Sequence, residues 1–331
     1  MIPFNEEQQR LLNNLTQYYE VWRGAARRLR AEFAHRLQWK TVAGRQYLYK
    51  IVDRKGNGTS LGAQSAENSA EFKRYTAERE AVRSAERAAK ARLAIAGSLY
   101  RALRLPVIAS PAAAILREAD LRGMLDGALI VIGTNALAAY ELEAGARFAA
   151  GLDATEDFDL SWSGDDATTL SLQGAAGQGV FDLLKAVDET YTVNTERSFQ
   201  ARNRGAYAIE LLASPESVKR LAPGEKLRPL TLASQAWLLA GKPVSQVVCA
   251  RDSTVARIIA PDPRVFALHK LWLSQQKTRE RAKRGKDQAQ GDNGAGHRSQ
   301  LRMLTPPRNC GLTRGSYVGG DAGDAGALAA P

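Results

Sequence analysis

The sequence predicts an α/β (α+β) fold in which a small mixed sheet is flanked by helices. Segments with strand and helix patterns alternate over residues 128–213, an order typical of one layered core. A long stretch of helical periodicity precedes this core, and a hairpin pattern and a helical segment follow it. The chain has 331 residues, of which 44% are hydrophobic, and this is enough to bury such a core.

The N-terminal extension is predicted to be mostly helical. Residues 6–40 place large apolar side chains at three- and four-residue steps, which predicts one helix. Residues 44–62 contain the alternating stretch QYLYKIV and the turn sequence DRKGNG, which predict a small β element and a mobile loop. Residues 69–103 are rich in Ala, Glu, Arg and Lys and lack proline, so we expect a second long helix. Its aliphatic positions cluster near its end, and we expect its first two thirds to extend as an arm.

The core and the C-terminal part follow from shorter patterns. Strands are predicted at 128–132, 155–161, 191–200 and 206–213, helices at 134–144 and 180–187, and a Gly-rich loop at 174–179. VSQVVCA and VARIIA predict paired strands around the turn RDST, and LASQAWLLAG and DPRVFALHKLWLSQQ predict helices. The segment from Gly291 loses apolar periodicity and is rich in Gly, Ala, Pro and Arg, which predicts disorder.

These patterns divide the chain into four predicted segments. They are the helical extension with its small β element (1–104), the α/β core (105–215), the hairpin and helical segment (216–290) and the disordered tail (291–331).

Composition restricts the partners and the location. The net charge of +11 indicates either an anionic partner, such as nucleic acid or a nucleoside triphosphate, or simply arginine-rich solvated helices. No apolar run long enough for a membrane helix and no signal-peptide pattern is present, so we expect a cytoplasmic protein without membrane contact. Cys249 and Cys310 lack the spacing of a disulfide framework or a zinc site.

Two acids in the strand 155–161 are the first candidate site residues. Asp157 and Asp159 are two residues apart, so their side chains project from the same face, about 6–7 Å apart at Cα. Two negative charges at this distance repel each other unless a cation lies between them. Mg²⁺ accepts carboxylate oxygens and keeps positions open for phosphate, and we expect it here.

Two further elements complete the predicted site. Gly133 allows a close backbone approach and Thr134 can cap the following helix, whose N-terminus would then bind phosphate. Glu210 lies in the otherwise apolar stretch AYAIELL, where an acid is costly without a positive partner. It is the candidate third carboxylate of a site with two Mg²⁺ ions, unless it lies on an edge strand facing water.

Together these motifs resemble the polymerase-β-type nucleotidyltransferase superfamily. The matching residues are Gly-Thr at 133–134, TEDFDL at 155–160 and IEL at 209–211. More closely, IGTNALAAYE, TxDxDL and DPRxFALHKxWLS at 262–274 resemble a bacterial family of nucleotidyltransferase-like proteins, over about residues 105–290. The chain departs from the superfamily pattern in lacking a serine after the glycine, in a longer gap before the first acid, and in having glutamate as its third acid.

The resemblance implies roles for individual residues. Gly133 and Thr134 would hold nucleotide phosphates, Asp157 and Asp159 would bind magnesium, and Glu210 would ligate the catalytic metal and help deprotonate the acceptor hydroxyl. Basic side chains after the sheet often contact the triphosphate in this superfamily, which makes Lys270 and Arg264 the candidates here. His269 is expected to be a hydrogen-bonded structural residue, and Arg202 to lie in a solvated turn.

Three functions are compatible with the sequence. The first is a magnesium-dependent transfer of a nucleoside monophosphate from a nucleoside triphosphate to an acceptor hydroxyl on RNA, protein or a small molecule. The second is a catalytically inactive nucleotide-binding or antitoxin-like regulatory module, and the third is a structural α/β protein. Oligomeric state and base preference have no signal in the sequence. Because the family would continue with an apolar helix after KRGKDQAQ, we interpret the tail as the product of a reading-frame shift near residues 286–291.

Overall fold

A computed structural model of the protein describes residues 1–148, 157–163, 179–221, 224–277 and 279–295. Its helices are α1 (Glu6–Ala31), α2 (Ala66–Ala102), α3 (Ser110–Leu121), α4 (Leu137–Ala144), α5 (Val180–Val187), α6 (Pro215–Val218), α7 (Ser234–Leu238), α8 (Pro263–Ser274) and α9 (Arg281–Ala295). Its strands are β1 (Ile2–Pro3), β2 (Arg36–Val42), β3 (Arg45–Ile51), β4 (Gly58–Ala63), β5 (Val107–Ile108), β6 (Leu129–Val131), β7 (Ala146–Arg147), β8 (Asp157–Trp162), β9 (Thr192–Val193), β10 (Gln200–Arg202), β11 (Ala208–Ala213), β12 (Leu230–Thr231), β13 (Val244–Ala250) and β14 (Val255–Ala260). This mixture of helices and strands confirms the predicted α/β class.

The central sheet is mixed, as predicted. Its strand order is β6–β8–β11–β10–β9, with β12 beside the end of β11. β8 and β11 run parallel, whereas β6 pairs with β8, and β10 with β11 and β9, in antiparallel fashion. The parallel pair brings the start of β8 and the start of β11 to the same edge of the sheet, where the candidate acids lie.

Most core predictions agree with the structure. The helix 180–187 has the predicted bounds, and Gly145 ends α4 in the left-handed conformation. One predicted strand, 191–200, is wrong in its middle, because the Asn194 side chain accepts hydrogen bonds from the backbone N–H groups of Glu196 and Arg197 and so forms a turn. Residues 155–156 and most of the predicted Gly-rich loop lie outside the described residues.

The N-terminal extension differs from the prediction in two places. α1 ends at Ala31, and residues 36–42 form β2 instead of continuing the predicted helix. β2 pairs with β3 along its whole length. The hydrogen bonds of this hairpin outweigh the helical periodicity of the segment. Part of the predicted mobile loop is also a strand, because residues 58–63 form β4 against β3.

The long helix α2 packs against its neighbours along most of its length, so the predicted free arm is wrong. Val82 and Ala89 are buried in its middle. The Trp22 indole of α1 donates a hydrogen bond to Glu86 at 3.0 Å, and the Tyr75 hydroxyl donates to the His35 carbonyl at 2.6 Å. Many of the side chains in this contact are small or aromatic. The aliphatic periodicity that would have predicted a buried face is therefore weak in this part of the sequence.

One cluster of buried side chains runs from α1 and α2 through α3 to the strands of the core. At its edge the Asp120 carboxylate, fully buried on α3, accepts hydrogen bonds from the Tyr19 hydroxyl of α1 and from Arg257 of β14. Arg27 of α1 also contacts Asp120. The predicted boundaries at residues 104 and 215 stay predictions, and this cluster crosses both of them.

The C-terminal segment is ordered further than predicted. α9 continues to Ala295, five residues into the segment expected to be disordered. Gly291 packs so closely on α8 that a Cβ there would lie 2.7 Å from the Leu271 side chain, so packing overrides the poor helix propensity. Residues 296–331 lie outside the described residues, and the reading-frame shift stays a prediction. Among the described residues, no helix has the length and apolar character needed to cross a membrane.

Candidate active site

The candidate carboxylates lie on two adjacent parallel strands. Asp159 of β8 is directly opposite Glu210 of β11 in the register of the sheet, at the usual strand spacing of about 4.8 Å. Asp157 lies two residues before Asp159 and so faces the same side. The structure therefore places the three acids that the sequence singled out on one face of the sheet, although Asp159 and Glu210 are 51 residues apart in the chain.

Gly133 follows β6 and lies against Asp159. Its φ of +67° is a backbone conformation that favours glycine, and a Cβ built on it would lie 2.1 Å from the Asp159 Oδ2. The backbone around it is tied to β8, since the Ile132 N–H donates to the Asp159 carbonyl at 3.0 Å and the Asn135 side chain donates to the Asp157 carbonyl at 2.9 Å. A glycine is thus required by both conformation and space.

Thr134 does not cap a helix, which corrects the sequence prediction. Residues 133–136 form a turn of 3-10 helix before α4, without a side-chain cap. The Thr134 hydroxyl is buried and accepts a hydrogen bond from the Gln290 side chain of α9 at 3.1 Å. Thr134 still belongs to the lining of the cavity that the acids also line.

Burial and charge repulsion act together on Asp159. Burial, together with the negative charges of Glu210 and Asp157, raises the pKa of Asp159 to about 6, although the positive charge of Lys270 acts to lower it. Glu210 is positioned by a hydrogen bond that it accepts from the Gln200 side chain at 2.9 Å. An unbalanced, partly buried carboxylate of this kind is typical of a site that binds a cation.

The acids form part of the lining of a cavity of about 330 Å³. Basic side chains from the C-terminal part of the chain also line it, namely Lys270, Arg279, Lys283 and Lys286. The rest of the lining is mostly apolar and includes Leu212, Leu230, Leu232, Leu238 and Phe266, together with the buried amide of Gln235. The cavity thus combines negative, positive and apolar regions.

Lys270 is buried and paired within this lining. Its Nζ donates to the Asp287 carboxylate at 2.8 Å, and Arg279 donates to the other oxygen of Asp287 at 2.9 Å. Burial acts to raise the pKa of Asp287, but the charges and hydrogen bonds of Lys270 and Arg279 outweigh burial and lower it. Asp287 therefore attaches α9 to α8 and holds the cationic side chains of Lys270 and Arg279 at the cavity.

Arg264, Arg202 and His269 occupy other positions. Arg264 pairs with Asp262 at the start of α8, with 2.9 Å between its Nε and the carboxylate, and it does not contribute to the cavity lining formed by the described residues. Arg202 belongs to strand β10 and not to the expected turn. His269 lines the cavity and contacts the rings of Trp237 and Trp272, and burial lowers its pKa to about 4.

The expectation that His269 is hydrogen-bonded is wrong for one of its nitrogens. Its buried Nε2 has no hydrogen-bond partner among the described residues. The aromatic rings that enclose His269 supply packing instead of an acceptor.

Sequence reasoning missed the residues that α9 contributes. Lys283, Asp287 and Gln290 recur at steps of four and three, which places them on one face of the helix toward the cavity. This periodicity of polar residues was the available signal, but the segment lacks the apolar pattern by which helices are recognised. Its three glycines, Gly285, Gly291 and Gly294, further weakened the helix prediction.

The acidic side chains form an open set of carboxylates, of the kind that magnesium uses together with water and phosphate. Within the described ranges, no three His, Cys, Asp or Glu side chains meet closely enough to form a metal cage. Mg²⁺ is usually held by one or two carboxylates and completes its shell with water and substrate phosphate. An open carboxylate set beside basic side chains therefore has the chemistry that a magnesium–phosphate complex requires.

Residues 110–293, more than half of the chain, match the sequence model of a protein family that is described as nucleotidyltransferase. The match begins with α3 and extends into α9, so it includes every candidate site residue named above. No curated protein and no solved structure matches the chain.

Proposed function

The chain belongs to the nucleotidyltransferase family, and we propose that it is a magnesium-dependent enzyme that transfers a nucleoside monophosphate to an acceptor hydroxyl. The donor is a nucleoside triphosphate, and the acceptor is RNA, a protein or a small molecule. The observation that carries the proposal is the direct pairing of Asp159 with Glu210 on adjacent strands, with Asp157 on the same face and Gly133 against Asp159.

Charge supports the placement of the triphosphate. Asp157, Asp159 and Glu210 line the cavity, and the same lining has four positive charges, on Lys270, Arg279, Lys283 and Lys286. Phosphate oxygens repel carboxylates, so the triphosphate needs cations on both sides. Two magnesium ions, when bound to Asp157, Asp159 and Glu210, would neutralise the carboxylates and polarise the phosphate.

The protein's own groups would position the reaction. The backbone at Gly133 lies against Asp159, Thr134 lines the same cavity, and both would orient the phosphates. The acceptor oxygen would form a bond to the α-phosphorus while the bond from that phosphorus to the bridging oxygen breaks, and pyrophosphate would leave. Glu210, held by Gln200, would accept the hydroxyl proton. The basic side chains would stabilise the charge on pyrophosphate.

Isothermal calorimetry with each of the four ribonucleoside triphosphates tests the proposal. We expect binding that requires magnesium and that is lost in Asp157→Ala/Asp159→Ala. The control is Glu71→Ala/Glu78→Ala, which removes the same charge from exposed positions of α2 and is expected to bind normally. If folded wild-type protein binds none of the triphosphates, or if the acid variant binds as well as wild type, the proposal is wrong.

One observation favours the alternative of an inactive nucleotide-binding or antitoxin-like regulatory module. Thr134 and Lys270, both assigned to phosphate, are bonded to Gln290 and Asp287 of the same chain. An inactive module would bind the nucleotide and release no pyrophosphate. A pyrophosphate assay with α-labelled nucleotide and RNA, protein and small-molecule fractions separates the two, because only the enzyme transfers the label.

A further inference from the structure

The sheet formed by β2, β3 and β4 has two different faces. Trp39 of β2 points to α2, where its ring centre lies 5.9 Å from that of Phe72. Side chains alternate along a strand, so Arg36, Gln38 and Lys40 point to the opposite side. The register places Tyr49 across from Gln38, and Tyr47 across from Lys40. We define the outer face as Arg36, Gln38, Lys40, Arg45, Tyr47 and Tyr49.

The outer face is positively charged. Three of its six residues are cations, Arg36, Lys40 and Arg45, and the one acid between Arg36 and Ala63 is Asp53. Asp53 is engaged within its own turn, where its carboxylate accepts hydrogen bonds from the backbone and side-chain amides of Asn57 at 2.9 and 2.6 Å. Arg36 and Arg45 are exposed. The outer face therefore presents cations to solvent without an acidic side chain of its own, and it favours a polyanionic partner.

Aromatic rings lie among these cations. Tyr47 and Tyr49 are half-buried and two residues apart, so their rings project from the same face about 7 Å apart along the strand. The Lys40 Nζ lies 4.9 Å from the Tyr49 ring centre and donates to the Gly56 carbonyl at 3.0 Å. Rings on a rigid strand with fixed cations beside them suit the stacking of unpaired bases next to a phosphate backbone.

We propose that the outer face binds single-stranded RNA. The two rings stack on bases, which a duplex would keep inside its own stack, and Arg36, Lys40 and Arg45 contact phosphates. Gln38 and Ser60 lie on either side of Tyr49 in the register, and their polar groups can bond a ribose 2′-hydroxyl, which DNA lacks. The inference is separate from nucleotide transfer, because residues 36–63 lie outside the family match at 110–293.

Fluorescence anisotropy of the full chain tests this surface. The probe is an unstructured RNA of about 12 nucleotides, titrated at about 50–200 mM KCl with EDTA and without nucleotide. Arg36→Gln/Arg45→Gln is expected to lower the slope of log K against log salt by about 1.4, since each lost phosphate contact contributes about 0.7 on single strands. Tyr47→Leu is expected to weaken binding about fivefold or more through the lost stacking.

The matched control is Lys90→Gln/Arg101→Gln, which removes two exposed cations from α2. Lys90 is 15 residues beyond Tyr75, about 22 Å along the helix from the sheet, so the salt slope is expected to stay at the wild-type value. Circular dichroism checks that each variant is folded, and the exposed arginine pair tests the surface if Tyr47→Leu unfolds. The proposal is overturned if wild-type protein does not bind the RNA at low salt, if the control weakens binding as much as the outer-face pair, or if DNA of the same sequence binds equally well.

Discussion

Asp159 experiences three effects at once. It is partly buried, it faces Glu210 across the sheet, and its carboxylate occupies the space that a Cβ at Gly133 would take. Burial is the main reason that its pKa is raised to about 6. Its negative charge therefore destabilises the folded protein until a cation binds. The same charge that lowers stability is the one that would bind the metal.

We expect Asp159→Asn to raise the melting temperature at about pH 7.5, with a gain that shrinks as the pH falls toward about 5. The reason is that an acid with a raised pKa destabilises the fold increasingly as pH rises from its unfolded pKa of about 4 to its folded pKa. Scanning calorimetry with added magnesium completes the test. Magnesium should raise the melting temperature of wild type but not of the variant.

Glu71→Gln is the control for this change, because it removes one exposed carboxylate of α2. It is expected to leave the melting temperature and its response to magnesium as in wild type. A melting temperature of Asp159→Asn below that of wild type at pH 7.5 would contradict the assignment of an unfavourable charge.

Gly133→Ala is expected to abolish nucleotide binding and to lower the free energy of unfolding by about 1–2 kcal/mol or more. The left-handed backbone conformation accounts for that loss of stability, and the 2.1 Å approach to Asp159 accounts for the loss of binding. Gly145→Ala is the matched control, because Gly145 has a φ of +59° and no heavy atom near its added Cβ. It should be destabilised similarly and bind nucleotide normally; equal binding by both variants would show that the contact at Gly133 is unimportant.

At the scale of elements, α9 is a helix of low intrinsic propensity that a buried ion-pair network stabilises. Its sequence contains three glycines and few apolar residues. Asp287 nevertheless holds it against α8 through Lys270 and Arg279, and Gln290 joins it to the turn after β6. The helix that closes one side of the cavity is thus held by polar contacts with the site itself.

We expect Asp287→Asn to lower the free energy of unfolding by about 3 kcal/mol, because it leaves the buried Lys270 without its carboxylate. Since the pKa of Asp287 is lowered, its contribution is present above its unfolded pKa of about 4 and is lost as pH falls below that value. Denaturant unfolding measures the loss, and amide hydrogen exchange should show faster exchange confined to α9.

Asp292→Asn removes an exposed acid from the same helix and is expected to have little effect on unfolding. The double variant Asp287→Leu/Lys270→Met should recover much of the lost stability, because no buried charge is left without a partner. Unchanged unfolding in Asp287→Asn would mean that the ion pair does not hold the helix.

At the scale of the molecule, Asp120 links the N-terminal extension to the core. Tyr19 and Arg27 of α1 and Arg257 of β14 all contact this buried carboxylate. Burial and the negative charge of Asp120 raise the pKa of Tyr19, which keeps its hydroxyl protonated as a donor. The extension is therefore part of the same cooperative structure as the core.

Asp120→Asn is expected to lower the free energy of unfolding by about 3 kcal/mol or more, because Arg27 and Arg257 lose a buried partner. Asp126→Asn is the control, since Asp126 contacts the same arginines but is 40% exposed, and its loss should cost about 1 kcal/mol or less. Urea unfolding followed by tryptophan fluorescence compares them. Equal losses in the two variants would contradict a special role for the buried carboxylate.

The sequence by itself determined the local features of the protein. Strict alternation and turn residues located the hairpin of β13 and β14, a positive-φ glycine ended α4, and two acids with a spacing of two predicted a shared face for Asp157 and Asp159. Each of these depends on residues close together in the chain, whose geometry is set by strand or helix periodicity. Glu210 was also found from the sequence, because an acid in an apolar strand is unusual.

Only the tertiary structure decided which distant elements meet. The register of β8 with β11 places Asp159 opposite Glu210, and the packing of α9 on α8 brings Arg279, Lys283 and Lys286 to the cavity. A local contact, by contrast, holds Arg264 with Asp262, two residues before it, and away from the cavity. These contacts join residues that are far apart in the chain, and the buried ion pair of Asp287 outweighed the poor helix propensity of α9. At β2 the pairing with the neighbouring strand β3 outweighed the helical periodicity.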